Sequence, residues 1–371
     1  MQIPAELNPH QRILMGPGPS DVHPRVLKAM ATPLVGHLDP DFVAIMDEVK
    51  SMVQHTFQTQ NELTFVVSAP GSAGMETCLV NLLEPGDEAI ICIHGVFGGR
   101  MADIAERCGA TVTRVESPWG TPISPAQVQE ALGKVKNPKL LAIVHAETST
   151  GVLQPLEEIS QMVHDAGALL VVDAVTSYCG TQLKVDEWGI DAIYTGTQKC
   201  LSAPPGLSPV SFSPRAVEAL DNRKTKVQSW FLDLTLVKNY WAGAKRAYHH
   251  TAPVSAVYGL REAYRLVLEE GLENRFARHQ RNHELLRDGL EAMGFEFLVD
   301  AQYRLPMLNA VKIPAGVDEA AIRSRLLHEY NIEVGSGLGA FAGKIWRIGL
   351  MGESSTPNHV NVLLSALRDL M

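Results

Sequence analysis

The chain is poor in the features that would commit it to most specialised classes. Its 371 residues hold five cysteines (Cys78, Cys92, Cys108, Cys179, Cys200), and no two of them stand in a C-x-x-C spacing. An odd, scattered set of thiols excludes a disulfide framework and fits a reducing compartment. No apolar run reaches the ~18 residues of a membrane span, so no membrane partner is expected. The segment Met1–Arg12 is polar and lacks the apolar stretch of a secretory signal, and Arg368–Met371 carries no address signal. A cytoplasmic location is the resulting expectation. Basic charge is in deficit: 32 Lys and Arg against 41 Asp and Glu give a net charge of −9, which argues against nonspecific nucleic-acid binding. There is no internal repeat and no low-complexity tract. What remains, 46% hydrophobic and 20% charged residues, is the composition of an ordinary globular protein.

Strand-like apolar runs alternate with amphipathic stretches over the first two thirds of the chain. The runs are Leu63–Val67, Glu88–Ile93, Thr111–Val115, Leu140–Val144, Leu169–Val172 and Ala192–Tyr194. Strands apolar on both faces, joined by helical crossovers, predict an α/β fold with a mostly parallel sheet. Ser255–Gly294 reads as long helix. Phe295–Leu298, Ala310–Ile313, Ile332–Val334 and Ile345–Ile348 then read as short strands, with Glu319–Tyr330 and Asn358–Met371 as helices. The expected organisation is an N-terminal arm (1–12), a large domain (13–270) and a smaller α+β domain (271–371).

Two residues stand where a parallel sheet places its ligands, at the carboxyl ends of strands. Asp173 closes the run Ala168-Leu169-Leu170-Val171-Val172. Lys199 follows the next run, in Tyr194-Thr195-Gly196-Thr197-Gln198-Lys199-Cys200. A pyridoxal phosphate (PLP) enzyme needs such a pair: an amine to hold the cofactor aldehyde and a carboxylate to keep the pyridine nitrogen protonated.

Other segments are ambiguous singly. Ser68-Ala69-Pro70-Gly71-Ser72-Ala73-Gly74 joins a strand to a helix, where backbone N–H groups can bind phosphate; taken alone, an ordinary turn with a serine cap is the better reading. It is no P-loop, because no Gly-Lys-Ser/Thr follows. His145-Ala146-Glu147-Thr148-Ser149-Thr150-Gly151 offers hydroxyls at a strand end, or simply a polar turn. Phe97, flanked by glycines after a strand, can stack on a flat ring or belong to the core. Arg347 interrupts the apolar run Ile345–Ile348. Its fork requires a partner, which is either a substrate carboxylate or a structural acid. Gly335–Ala340 is followed by a strand, so it is no dinucleotide fingerprint. His249-His250 lacks the companions of a metal site, and neighbours on a strand point to opposite faces; no metal is expected.

Together the motifs resemble the class V aminotransferases of PLP fold type I, in the alanine–glyoxylate and serine–pyruvate branch. The resemblance runs almost end to end. It is carried by Met15–Ser20, Glu147–Gly151, Val172–Val175, Gly196–Lys199, Ala203–Gly206, Tyr248–Thr251, Leu260–Glu262 and Gly343–Gly349. It implies a large sheet domain with a smaller C-terminal domain, PLP as cofactor, and ping-pong transfer from a small amino acid to glyoxylate or pyruvate. Lys199 would carry the cofactor as a Schiff base and shuttle the proton between Cα and C4′. Asp173 would pair with the pyridine nitrogen, and Phe97 and Val175 would cover the two ring faces. Gly71, Ser72 and Gln198 would meet the phosphate. Tyr248 and Thr251 would reach the phosphate of a neighbouring subunit, which implies a homodimer with shared sites. Arg347 would clamp the substrate carboxylate, with Ser149 and the Gly18 backbone nearby.

One departure stands out. Relatives usually carry Ser-Gly-Ser/Thr-Gly where this chain has Ser68-Ala69-Pro70-Gly71, and Pro70 has neither N–H nor hydroxyl. The ureidoglycine–glyoxylate transaminases are similar too. Their pattern places glutamine at His37 and asparagine at Tyr248, so the alanine or serine reading is preferred. A lyase such as a cysteine desulfurase needs a catalytic cysteine loop, and no cysteine follows Cys200. A non-catalytic relative would have little reason to keep Lys199, Asp173 and Arg347 together.

Overall fold

The computed structural model describes residue 1, residues 3–241 and residues 246–371. Its centre is a seven-stranded sheet. In spatial order the strands are Leu63–Val67, Ser208–Phe212, Ala192–Tyr194, Leu169–Asp173, Pro138–Val144, Glu88–Ile93 and Thr111–Glu116. Every neighbouring pair is parallel except the two made by Ser208–Phe212, which runs antiparallel to both its partners. The central strands are Val- and Ile-rich because helices cover both faces. Leu169–Asp173 is buried at all five positions. Each fully buried aliphatic side chain contributes ~1.5–3 kcal/mol.

The sequence reading missed Ser208–Phe212 because Pro209 breaks its pattern; a proline is expected at a sheet edge, not between two strands. Pro209 still serves here through its carbonyl, which accepts from Thr195 N at 3.0 Å.

Of three apolar clusters among the described residues, the two large ones follow the chain. The larger spans Val26 to Val267 around the big sheet. The second joins Met15 to residues between Leu286 and Leu370, beside a three-stranded antiparallel sheet ordered Leu308–Lys312, Ile345–Gly349, Gly335–Ser336. The N-terminal strand Ile13–Leu14 pairs with Ile332–Glu333, so the segment after it crosses from the second cluster toward Lys199.

The long helix read over Ser255–Gly294 is two helices, Val254–Glu270 and Leu272–Ala292. The break is Gly271, whose φ of +82° lies in the region glycine alone adopts readily. Phe295–Leu298 forms only a single bridge, Phe297 to Val311, not a strand.

Candidate active site

Asp173 and Lys199 face a common space at the carboxyl ends of the parallel strands. Asp173 is 3% exposed and, among the described residues, has no cationic partner in hydrogen-bond contact. Its Oδ1 accepts from Val175 N at 2.8 Å and its Oδ2 from the Tyr194 hydroxyl at 2.7 Å. Burial pushes its pKa up to about 6, against the opposing pull of those two donors and of the Lys199 and Arg100 charges. A buried carboxylate held by neutral donors is poised to take a cationic N–H.

Among the described residues Lys199 has no carboxylate partner either. Its Nζ donates to the Pro17 carbonyl. Burial, helped by the Arg347 charge, lowers its pKa to about 8, so a substantial neutral fraction exists near neutral pH. The crossing segment is fastened to the lysine loop by Ser20, whose N–H donates to Gln198 O at 2.9 Å and whose hydroxyl donates to Lys199 O at 2.8 Å. Gly18 is required twice over. Its φ is +102°, and a Cβ there would stand 2.6 Å from Lys199 Nζ.

The far side is built on Glu147, which is fully buried after the strand Pro138–Val144. It accepts from Ser149 N at 3.0 Å, Ser149 Oγ at 2.6 Å and Phe97 N at 3.3 Å. Ser149 Oγ in turn accepts from Val96 N at 3.0 Å. These bonds satisfy the first N–H groups of the helix Val96–Arg107, whose preceding residue, Gly95, has no side chain to cap it. Burial raises the Glu147 pKa to about 7.

Arg347 is 7% exposed, and no acidic side chain among the described residues pairs with it. Its Nε donates to Ser336 O at 2.7 Å and one terminal nitrogen to Thr148 O at 3.3 Å. Burial lowers its pKa while Glu147 opposes. The remaining donors form an open fork for an anion.

The turn at Pro70–Ser72 opens the helix Gly71–Leu82 with no side-chain cap and no acid in its first turn. Gly71 packs tightly: a Cβ would lie 3.4 Å from Gly196 Cα and from Val175 Cγ2. Gln198 Oε1 is buried without a partner, and it lies 2.8 Å from where a Gly196 Cβ would be. Lys199, Asp173, Val175, Gln198, Gly71, Ser72, Phe97, Ser149, Gly18 and Arg347 thus surround one region.

Tyr248 and Thr251 do not join them. Both are exposed; Tyr248 packs on His37 with ring centroids 5.3 Å apart, and neither hydrogen-bonds the cluster. The opposite-face argument for His249 and His250 fails, because the pair lies in coil with Nδ1 atoms 2.8 Å apart. His250 Nε2 lies 2.7 Å from Ser68 Oγ. Sequence reasoning gave no role to Tyr194, Glu147 or the Pro17 carbonyl. Tyr194 is the register partner of Asp173, a relation visible only once the sheet order is known.

The donor set fits a flat cofactor with a basic ring nitrogen at one end, an aldehyde beside the lysine and a phosphate at the Gly71 turn. The family pattern of the class V aminotransferases matches residues 14–349. The chain belongs to that family, whose members are PLP-dependent enzymes of fold type I. It is 42% identical to alanine–glyoxylate aminotransferase of Rattus norvegicus, over 97% of this chain and 88% of that one. It is 40% identical to (S)-ureidoglycine–glyoxylate transaminase of Bacillus subtilis, over 97% and 90%. Among solved structures, alanine–glyoxylate aminotransferase from Nostoc sp. superposes with a TM-score of 0.97 at 48% identity, covering 100% of this chain and 97% of that one. No helix among the described residues is long and apolar enough to cross a membrane.

Proposed function

We propose that the protein transfers the amino group of a small amino acid, alanine or serine, to glyoxylate or pyruvate. The observation that carries this is Arg347, a buried guanidinium without a carboxylate partner among the described residues, whose charge is felt by Lys199. A single clamp suits a monocarboxylate donor. When bound, PLP supplies an aldehyde for the amino group and a ring that draws electrons from Cα. Asp173 would hold a proton on the ring nitrogen, and Phe97 and Val175 would fix the ring plane. Gly71, Ser72 and Gln198 would hold the phosphate. Arg347 fixes the substrate carboxylate, aided by Ser149 and the Gly18 backbone, so that the Cα–H bond faces Lys199. Lys199 Nζ, neutral in substantial fraction near neutral pH, would take up the Cα proton and return it. The keto acid leaves before the acceptor binds, and the same groups run the steps in reverse.

The protein acts as a homodimer in which Tyr248 and Thr251 complete the neighbour's phosphate site; their exposure, with that of Trp230, Leu34 and Leu38, supports this. The small domain begins near Gly271, where the helix breaks between the two apolar clusters. A cytoplasmic location is supported by five free, buried cysteines. Burial raises all five thiols, Cys200 to about 12, which disfavours a cysteine-dependent lyase.

The Bacillus relative supports a second reading, (S)-ureidoglycine as donor. A panel of amino donors with glyoxylate separates the two. Alanine or serine is expected to give the highest kcat/KM, and a dominant preference for ureidoglycine would overturn the choice.

A further inference from the structure

Arg100 is an exposed residue one turn into the helix Val96–Arg107. Its guanidinium carbon lies 5.0 Å from the centroid of Phe97. One of its terminal nitrogens donates to Ser72 Oγ at 3.2 Å. No acidic side chain among the described residues pairs with it, so this cation is held by a ring face and a hydroxyl alone.

Its position is electrostatically unfavourable in the protein by itself. Ser72 lies in the first turn of the helix Gly71–Leu82, which carries no acid there. A helix N-terminus is the positive end of the macrodipole, and a cation beside it is repelled unless an anion lies between. The same turn is short of acceptors. The N–H groups of Gly71 and Ser72 find none among the described residues, and Ala73 N turns back to Pro70 O at 2.7 Å. Pro70 contributes neither N–H nor hydroxyl. An exposed guanidinium, orphan N–H groups and a helix dipole therefore converge on one spot, and a phosphate monoester dianion satisfies all three. Arg100 is also one of the charges that lower the Asp173 pKa, so it lies within electrostatic reach of the cofactor's other end.

We propose that Arg100 is a phosphate-binding residue, moving its guanidinium from Ser72 Oγ onto the cofactor's phosphate and replacing the donors that Pro70 removes. This rests on the reading of the site as a PLP site. It adds a cation to a phosphate cup otherwise made of neutral donors.

The test strips the full-length protein of cofactor and titrates it with PLP and with pyridoxal, which has the same ring and aldehyde but no phosphate. Wild type, Arg100→Gln and Arg100→Lys are compared. Arg100→Gln is expected to raise the Kd for PLP by about tenfold or more, while leaving that for pyridoxal within about twofold. Arg100→Lys is expected to fall between. Unchanged PLP affinity in Arg100→Gln would overturn the inference. So would parallel weakening of both ligands, which would mean that Arg100 merely braces Phe97. A change of oligomeric state that accounts for the loss would assign Arg100 to a subunit contact instead. Failure of wild type to bind PLP would sink the cofactor reading itself, a distinct result.

Discussion

Replacing Tyr194 by Phe removes one oxygen from the floor of the site and tests how Asp173 is tuned. The phenol donates to Asp173 Oδ2 at 2.7 Å, and both residues are buried. Burial holds the Tyr194 pKa well above its ordinary value, so it stays a neutral donor at working pH. Phenylalanine fills the same space without a cavity, so the change isolates the hydrogen bond. A bond to a charged group contributes ~1.5–3 kcal/mol, and one pKa unit corresponds to ~1.4 kcal/mol. Loss of the bond therefore raises the Asp173 pKa by about one to two units, from its already elevated value of about 6. At pH 7 about half to nine-tenths of the cofactor-free variant then carries a protonated acid, which cannot hold a protonated pyridine nitrogen. PLP binding at pH 7 is expected to weaken about two- to tenfold. The acidic limb of kcat/KM is expected to move up by about one unit. The assays are a PLP titration at pH 6, 7 and 8 and a pH–rate profile. A variant with an unmoved acidic limb and wild-type affinity at pH 7 would refute the argument that Tyr194 sets the charge of Asp173.

Gly95→Ala tests the Glu147 bracket by steric means. The added Cβ would lie 2.3 Å from Glu147 Cγ and Cδ and 2.5 Å from Ser149 Oγ. The backbone there is extended, with φ of 175°, so alanine suffers no conformational penalty. The cost is overpacking of about 1–3 kcal/mol, read as a lower urea midpoint together with weaker PLP binding; wild-type behaviour in both would contradict the contact. Acid should unfold the cofactor-free protein early. Burial lowers His94 and His145 to about 4 and His279 to about 3. Below their ordinary pKa of ~6.5 the unfolded chain binds more protons, so stability is lost as pH falls from ~6.5 toward those values, by ~10 kcal/mol for the three. Asp173 and Glu147, raised to about 6 and 7, give back roughly half, because their contribution grows as pH falls. The urea midpoint should drop between pH 7 and pH 4.5; a flat or rising midpoint would contradict it.

What was legible in the sequence shares a physical cause. Asp173 and Lys199 stood out because parallel strands deliver their carboxyl ends to one edge, and strand ends are readable as the limits of apolar runs. Arg347 stood out because a charge inside a buried strand needs a partner. The hidden parts depend on contacts between distant segments. The Tyr194 bond to Asp173 follows from cross-strand register. Glu147 looks like one polar residue among several until its three donors are seen together. Gly95 reads as a turn glycine, whereas its role is to leave room for the Glu147 side chain. The strand Ser208–Phe212 was concealed by Pro209, and the break at Gly271 by helical periodicity on both sides of it.

The central claim is that Lys199 holds PLP and passes an amino group through it. The most direct measurement is the visible absorbance of the purified protein through two half-reactions. The account predicts a band from the lysine-bound cofactor that disappears on adding L-alanine with release of pyruvate, and returns on adding glyoxylate with formation of glycine. Lys199→Ala should take up cofactor without turning over. Persistence of the band in the presence of every small amino acid, or undiminished turnover by Lys199→Ala, would contradict the account.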